Sequence, residues 1–511
     1  MFDLKNAFIV SPSAIADHQL FFIVVGAVCY CLMLAYYKAE SRKLKHIPST
    51  ESNVPLFSYL GALKFLLDSR KVVNAGLKKW PNTMFKIPDL LEWVVVTPEP
   101  SVIDEIRKAP ENSLSSADAF DEALQTEYTL GAQFTKNPYH APIIRAKLTR
   151  ALPQLMPEIH EEVVDAFNEF IPLTSDWSSV KALDTFMNVI CRVSNRIFVG
   201  RPLCRDPEFV ALNVQYTKDV AVAGTLLRLV PTFLRPLANK LVSNVPKRMR
   251  EGLKQLAPLF AARRKQREAS KYHDEQPLDI LTWMLDEAKG EEATDWYLTA
   301  RILAVNFAAI HTSSMTFTHA FYYLAAFPEY MKPLREEVED IVQREGWTKA
   351  GIDQMHKIDS FIKESQRLHP LTIVAMKRIA VNDHTFSDGT TVPRGTTIGI
   401  ALDSVHLNEK IYPDALRFDP FRFVKLKEQD ITGRRFDLVT TGVDSLGFGH
   451  GRHSCPGRYF AACELKLMLA HVVMNYDVKL ENEGVRPKDM WLMVSCVPNP
   501  DAKVLFRKRV L

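Results

Sequence analysis

Phe448-Gly449-His450-Gly451-Arg452-His453-Ser454-Cys455-Pro456-Gly457 is the stretch on which the reading of this chain turns. Its glycines permit close backbone approach, and the apolar run that follows can start a helix whose N-terminal dipole favours a thiolate at Cys455. From the residues alone, Cys455 is either a reactive or metal-bound cysteine or a buried inert thiol. The cysteines are Cys29, Cys31, Cys191, Cys204, Cys455, Cys463 and Cys496, an odd and scattered set unlike the framework of a disulfide-stabilised secreted domain. The others read as small hydrophobes.

Working upstream, Phe418-Asp419-Pro420-Phe421-Arg422-Phe423 is preceded by Glu364-Ser365-Gln366-Arg367, whose i,i+3 spacing puts both charges on one helical face. Further back, residues 295–327 form the longest apolar helical candidate of the body, interrupted near its middle by His311, Thr312, Ser313 and Ser314. Polar side chains at the centre of a buried helix call for an explanation beyond propensity. Helices are also expected at residues 100–108, from about 142, and at 278–285, 330–345, 355–368 and 457–475; residues 93–97 and parts of 371–405 read as short strands. With no internal repeat, a helical majority and few strands, the body reads as one mixed domain.

These segments, in this order, closely resemble the cytochrome P450 family. Phe448, Gly451, Cys455 and Gly457 match its Phe-x-x-Gly-x-Arg-x-Cys-x-Gly signature, with His453 at the usual arginine position. The resemblance implies that Cys455 is the proximal ligand of haem b, a thiolate that pushes electron density toward iron and favours O–O cleavage. His453 would meet a haem propionate, with a charge that depends on pH. Glu364, Arg367 and Arg422 would form a buried charge network supporting the cysteine loop, since a buried carboxylate needs paired donors to stay ionised. Ala308-Ala309-Ile310-His311-Thr312-Ser313 resembles the family's oxygen-binding helix, with Ala309 for the usual glycine and His311 for the usual acid. On that correspondence Thr312 and His311 are the catalytic pair, Thr312 delivering protons during oxygen activation and His311 relaying them or merely packing. The family's Trp-x-x-x-Arg pattern is broken at Ala141, leaving Arg145 as the propionate arginine and His140 as a possible replacement donor or a surface histidine. By the same analogy Ala308, Ala309, Ile373, Val374, Met376, Cys496 and Val497 line the substrate pocket.

At the other end, residues 20–37, LFFIVVGAVCYCLMLAYY, are uncharged and at ~1.5 Å per residue nearly long enough for a ~30 Å hydrocarbon layer. Asp3, Lys5 and Asp17 precede them, and Lys38, Arg42, Lys43 and Lys45 follow, a bias that places the rest of the chain in the cytosol. The rivals are a signal peptide, whose basic residues should come first, and a buried globular helix. The expected organisation is a luminal segment 1–19, a transmembrane anchor 20–37, a basic and proline-containing connector 38–55, and a catalytic domain 56–511. The fold class expected is mainly α with small β-sheets, the cytochrome P450 fold preceded by one N-terminal transmembrane helix. Location follows as a single-pass endoplasmic-reticulum membrane protein.

A net charge of +4 over 511 residues is too dilute for nucleic-acid binding, and Arg263-Arg264-Lys265-Gln266-Arg267 reads as a solvated helix face. No nicotinamide or flavin module is evident. The resemblance therefore implies electrons from NADPH–cytochrome P450 reductase, with cytochrome b5 as an optional second donor, a membrane-lipid neighbour, and an apolar small-molecule substrate. Among P450s the chain looks most like the fungal microsomal branch of ent-kaurene oxidases and indole-diterpene or terpenoid enzymes, so a haem-thiolate monooxygenase acting on such an intermediate is expected. The alternatives are a haem-thiolate isomerase, dehydratase or peroxygenase, and a non-catalytic membrane haem carrier or sensor.

Overall fold

The computed structural model describes residues 42–51, 55–90, 92–269 and 276–510. Two of its elements form a hairpin, β1 (Phe85–Asp89) and β2 (Glu92–Thr97), with Phe85 opposite Val96. Every residue of β1 and all but Glu92 of β2 are buried. That two-sided burial explains the uninterrupted Trp93-Val94-Val95-Val96 run, because both faces of a covered strand must be apolar. β3 (Leu114–Ser115), β4 (Val374–Ala380) and β5 (Thr397–Ala401) complete a sheet of order β1-β2-β5-β4-β3, in which only the β2/β5 pair is parallel. A bulge between Ala375 and Arg378, where Met376 takes φ +50°, re-aims the middle of β4.

The core lies among helices. α1 (Thr149–Phe170), α2 (Ala182–Phe198), α3 (Asp295–Ala326), α4 (His356–Leu368) and α5 (Arg458–Asn475) share one continuous apolar cluster. α3 runs 32 residues and is buried over most of its circumference, as its nearly all-round apolar sequence requires. Two of the mid-helix hydroxyls that looked out of place fold back on carbonyls about one turn earlier: Thr312 Oγ1 donates to Ala308 O at 2.7 Å and Ser314 Oγ to His311 O at 3.1 Å, as Thr316 and Thr318 do further along. A three-stranded sheet (Ser178–Lys181, Lys503–Lys508, Tyr476–Leu480) and the hairpin Met490–Leu492/Ser495–Val497 carry the C-terminal end back across the helices.

Two expectations change here. Among the described residues no helix is long and apolar enough to cross a membrane. The fold is therefore corrected to a mainly α architecture with small sheets and no membrane-spanning helix among its described elements, and the single-pass endoplasmic-reticulum placement built on such a helix goes with it. The luminal segment 1–19, the anchor 20–37, and connector residues 38–41 and 52–54 lie outside the described residues. The described part of the connector is no loose tether: Leu44 and Ile47 are buried in the core beside β2 and β5, and buried Lys86 Nζ donates to Leu44 O at 2.7 Å.

Candidate active site

The cysteine loop is shaped by one glycine above the rest. Gly451 has φ +79°, and a Cβ there would stand 2.3 Å from Arg107 Cγ, so both backbone and space demand glycine. The turn delivers Cys455 N to Phe448 O at 2.9 Å and starts α5 three residues after the cysteine. Burial pushes the Cys455 thiol up, while the backbone N–H groups of Gly457 and Arg458 and the guanidinium charges of Arg458 and Arg145 pull it down. Those donors suit a thiolate that has an additional cation to face.

Cys455 lines a cavity of about 400 Å³ together with Phe448, Gly457, His140, Ala308, Ala309 and Thr312. Thr312 Oγ1 donates to Ala308 O at 2.7 Å, which commits the hydroxyl hydrogen and leaves the oxygen lone pairs as acceptors. His311 is not on this wall. Its Nδ1–H donates to Phe307 O at 2.5 Å, the ring packs on Phe307 at 4.7 Å, and burial lowers its pKa, so it is a neutral imidazole whose Nε2 meets no donor among the described residues.

Around the cavity the other expected residues are also brought together, though not all in the expected way. Arg145 sits in a single π-helical turn, Ile143–Leu148, inserted before α1. Such a turn rotates a side chain off the regular helical face and is frequent at functional sites. Its Nη2 donates to Arg452 O at 3.0 Å and Ser454 O at 3.4 Å, bracing the cysteine loop. His453 faces the protein instead: Nε2 is 2.9 Å from Glu111 Oε1 and Nδ1 is 3.1 Å from Ser116 Oγ. The cation at this spot is one the sequence did not flag. Arg378, on β4, is 4% exposed, donates to Lys377 O at 2.8 Å, and pairs with no carboxylate among the described residues. Glu111 acts on it electrostatically but is engaged with His453, so the guanidinium keeps N–H donors for a ligand's anion.

Beneath the loop, Glu364 is fully buried and accepts from Arg367 Nε and Nη2 at 2.8 and 2.7 Å and from Arg422 Nε at 3.0 Å. The two guanidiniums reach onward to loop carbonyls, Arg367 Nη1 to His406 O and Ala415 O at 2.6 and 2.7 Å, and Arg422 to Asp414 O and Arg417 O at 3.1 and 3.0 Å. One helix thereby pins the meander that leads to the cysteine.

Of the expected pocket residues, Ala308 and Ala309 are on the cavity wall; Ile373, Val374, Met376, Cys496 and Val497 are not. Ile373 and Val374 pack into the core against Val94 and Val96, and Cys496 is fully buried, because strand pairing and the C-terminal hairpin turn these side chains inward. Leu371 takes the place expected for the residues just after it. Val305 and Thr316 were missed as well, although stepping by three and four residues from Thr312 along α3 would have found them.

A second cluster, His319, His369, Asp489 and Cys496, brings donor atoms within 4.8 Å of one another. None of the four lines the Cys455 cavity. Arg486 donates to both His319 Nδ1 and Asp489 Oδ1 at 3.0 Å, so a guanidinium already supplies the cation that a metal would bring. The cavity, in contrast, fits a planar dianionic group with a metal at its centre: a thiol with converging N–H donors, apolar walls, and Arg145 braced against the cysteine loop. Even Gly457 conforms, since a Cβ there would touch only Ile144, itself a wall residue, at 3.6 Å.

Residues 48–506 match the cytochrome P450 family model. Cytochrome P450 monooxygenase 151 of Postia placenta is 40% identical over 480 residues, spanning 93% of this chain and 96% of its own length. Cytochrome P450 monooxygenase CYP512U6 of Ganoderma lucidum is 32% identical across 94% of this chain and 96% of its own, and cytochrome P450 monooxygenase AN1598 of Emericella nidulans 32% identical across 98% and 95%. With a half-buried cysteine and a threonine-bearing helix lining one apolar cavity, and with these matches over nearly its whole length, the chain belongs to the cytochrome P450 family and is a monooxygenase of that family.

Proposed function

We propose that this monooxygenase oxidises an apolar secondary metabolite, a terpenoid or indole-diterpene intermediate, with Cys455 holding haem b and Thr312 managing protons on the opposite wall. The observation that carries the reading is the composition of that wall: Phe120, Phe134, Leu148, Val305, Ala308, Ala309 and Leu371 offer hydrocarbon, and the hydroxyls of Thr312, Ser313 and Thr316 are its polar groups on α3. Such a surface binds a fused hydrocarbon skeleton without leaving polar groups unsatisfied.

Thiolate-ligated haem supplies the oxygen chemistry when bound, and family membership implies a reductase partner that delivers electrons to it. The rest falls to this chain. Cys455 presents its sulfur beneath the cavity, with the Gly457 and Arg458 N–H groups stabilising negative charge on it. Arg145, Arg378 and His140 would neutralise or bond the propionates. Thr312, its hydrogen committed to Ala308 O, accepts a hydrogen bond from a water and so holds that water where a proton is needed. Neutral His311, its Nδ1–H held by Phe307 O and its ring off the cavity wall, packs within the helix and leaves the proton handling to Thr312.

The test is reconstitution of full-length, haem-loaded protein with NADPH–cytochrome P450 reductase and a panel of diterpenes, indole-diterpenes and sesquiterpenes. A product gaining one oxygen atom from O₂ on a terpenoid member supports the proposal. Turnover confined to fatty acids overturns the substrate class, and a ferrous–carbonyl spectrum unchanged by Cys455→Ala overturns the thiolate assignment.

A further inference from the structure

His140 and Arg301 meet across the rim of the cavity from elements 161 residues apart in sequence. His140 lines the cavity, is 8% exposed, and stacks on Phe134 with ring centroids 4.2 Å apart. Arg301 Nη1 lies 3.1 Å from His140 Nδ1. A guanidinium has donors only, so Nδ1 must present its lone pair and the imidazole proton must sit on Nε2. Among the described residues Nε2–H has no partner, although the ring is nearly buried.

Arg301 is itself firmly placed. It pairs with Glu292 at 3.3 Å, donates to Gln133 O and Phe134 O at 3.3 and 3.4 Å, and its guanidinium carbon lies 4.4 Å from the Tyr139 ring centroid. On α3, Arg301, Ala308 and Thr312 are seven and four residues apart, and at ~100° per residue they share one face. The face of α3 that walls the cavity therefore also carries the group that orients His140.

We propose that Arg301 is a positioning residue that locks His140 as the Nε2–H tautomer, making His140 a neutral, donor-only ligand for a haem propionate. The inference rests on the haem reading above. A locked imidazole of this kind is the functional counterpart of an indole N–H, which donates and never accepts. It would explain how the chain manages with Ala141 where the family's pattern has tryptophan. Burial and the Arg301 charge also hold the His140 pKa down to about 3, so the donor stays uncharged through the neutral range.

The experiment measures haem transfer from full-length holoprotein to excess apomyoglobin between pH 5.5 and 8, with resonance Raman of the propionate bending modes. His140→Phe should lose haem roughly tenfold faster at every pH, the worth of one charge-assisted hydrogen bond. Arg301→Met should lose haem faster with a new pH dependence in the range where free histidine titrates, while Arg301→Lys, still donor-only, should keep the wild-type profile. His140→Trp should restore slow, pH-independent loss and make Arg301→Met silent on the pH profile. If Arg301→Met does not fold, Arg301→Gln, whose amide can donate or accept, is read in the same way. A flat profile for the Arg301 variants alongside fast loss in His140→Phe overturns the lock while leaving His140 as a donor. Unchanged haem loss and Raman modes in His140→Phe overturn the propionate role of His140, and the proposal with it.

Discussion

Glu464 of α5 accepts a hydrogen bond from the Ser194 hydroxyl of α2 at 2.8 Å, and its second carboxyl oxygen meets no donor among the described residues. Both helices belong to the core, and Glu464 is fully buried, so desolvation pushes its pKa up to about 8, with the Ser194 bond only partly opposing the rise. The folded state then holds a proton that the unfolded chain releases near the ordinary carboxyl value. Stability falls as pH rises from about 4.5 to about 8. Glu464→Gln keeps the shape and the Ser194 contact but cannot ionise. In thermal unfolding of holoprotein it should match the parent at pH 5 and exceed it by several degrees at pH 8.5; equal melting at both would count against a buried charge.

Arg367 closes the network under the cysteine loop, and its loss leaves Glu364 with Arg422 and the Asp419 N–H and strips the His406 and Ala415 carbonyls of their donor. Breaking a buried pair from one side costs about 3–5 kcal/mol. Arg367→Met should lower the denaturation midpoint accordingly and sharply reduce the haem-loaded fraction on purification. Wild-type haem content would sever the network from the loop it pins.

Much of this was legible before the fold was known, for reasons particular to each segment. α3, α4 and α5 announced themselves because helical periodicity and flanking breakers are local signals. The Glu364–Arg367 pair was visible as an i,i+3 spacing, and Cys455 as a cysteine among glycines. What stayed hidden was non-local. Nothing near Arg378 signals that it is buried yet in no salt bridge among the described residues, because that depends on the β4 bulge and on where Glu111 stands. Nothing near His140 points to Arg301. The partners of His453 were hidden for the same reason: the position fits the family pattern, and only the fold brings Glu111 and Ser116 alongside the ring. Cys496 and Ile373 fell short as pocket residues because strand pairing alternates side chains between faces, and a slip of one residue reverses the assignment.

At Gly451 two penalties are superposed and can be separated. A Cβ both forces a residue to φ +79° and collides with Arg107 at 2.3 Å. Left-handed backbone costs a non-glycine residue about 1–2 kcal/mol, and the collision adds to it. Gly451→Ala should therefore destabilise the holoprotein, and adding Arg107→Ala should recover the steric part while the backbone part remains. Full recovery in the double variant would show that the conformation of the turn carries no cost.

Thr312 tests the distal wall directly. Thr312→Val preserves volume but removes the oxygen that accepts a hydrogen bond from water. NADPH consumption should continue while product falls by about a hundredfold, the lower end of the range for a lost acid–base group. Equal coupling of NADPH to product in parent and variant would remove Thr312 from proton handling.

Acid should unfold this protein through its buried imidazoles as well as its carboxylates. Burial holds His369 and His406 down to about 3 and His471 to about 4, against about 6.5 in the unfolded chain. A depressed histidine is neutral when folded, so the unfolded state binds the extra proton. Stability is fully present above pH 6.5 and is lost as pH falls toward the folded value, at up to about 1.4 kcal/mol per pH unit for each ring. His471 isolates the effect, because its Nε2 has no partner among the described residues and Asn475, which contacts Nδ1 at 3.3 Å, also donates to the His471 carbonyl at 2.8 Å. His471→Leu thus removes a proton acceptor without stranding Asn475, leaving an aliphatic side chain against Phe167 and Tyr476. The slope of unfolding free energy against pH between 4.5 and 6 should become shallower by roughly one proton's worth. An identical slope in the variant would mean that His471 gains no proton on unfolding, and that its desolvation is met by water or by a shift of the ring within the folded core.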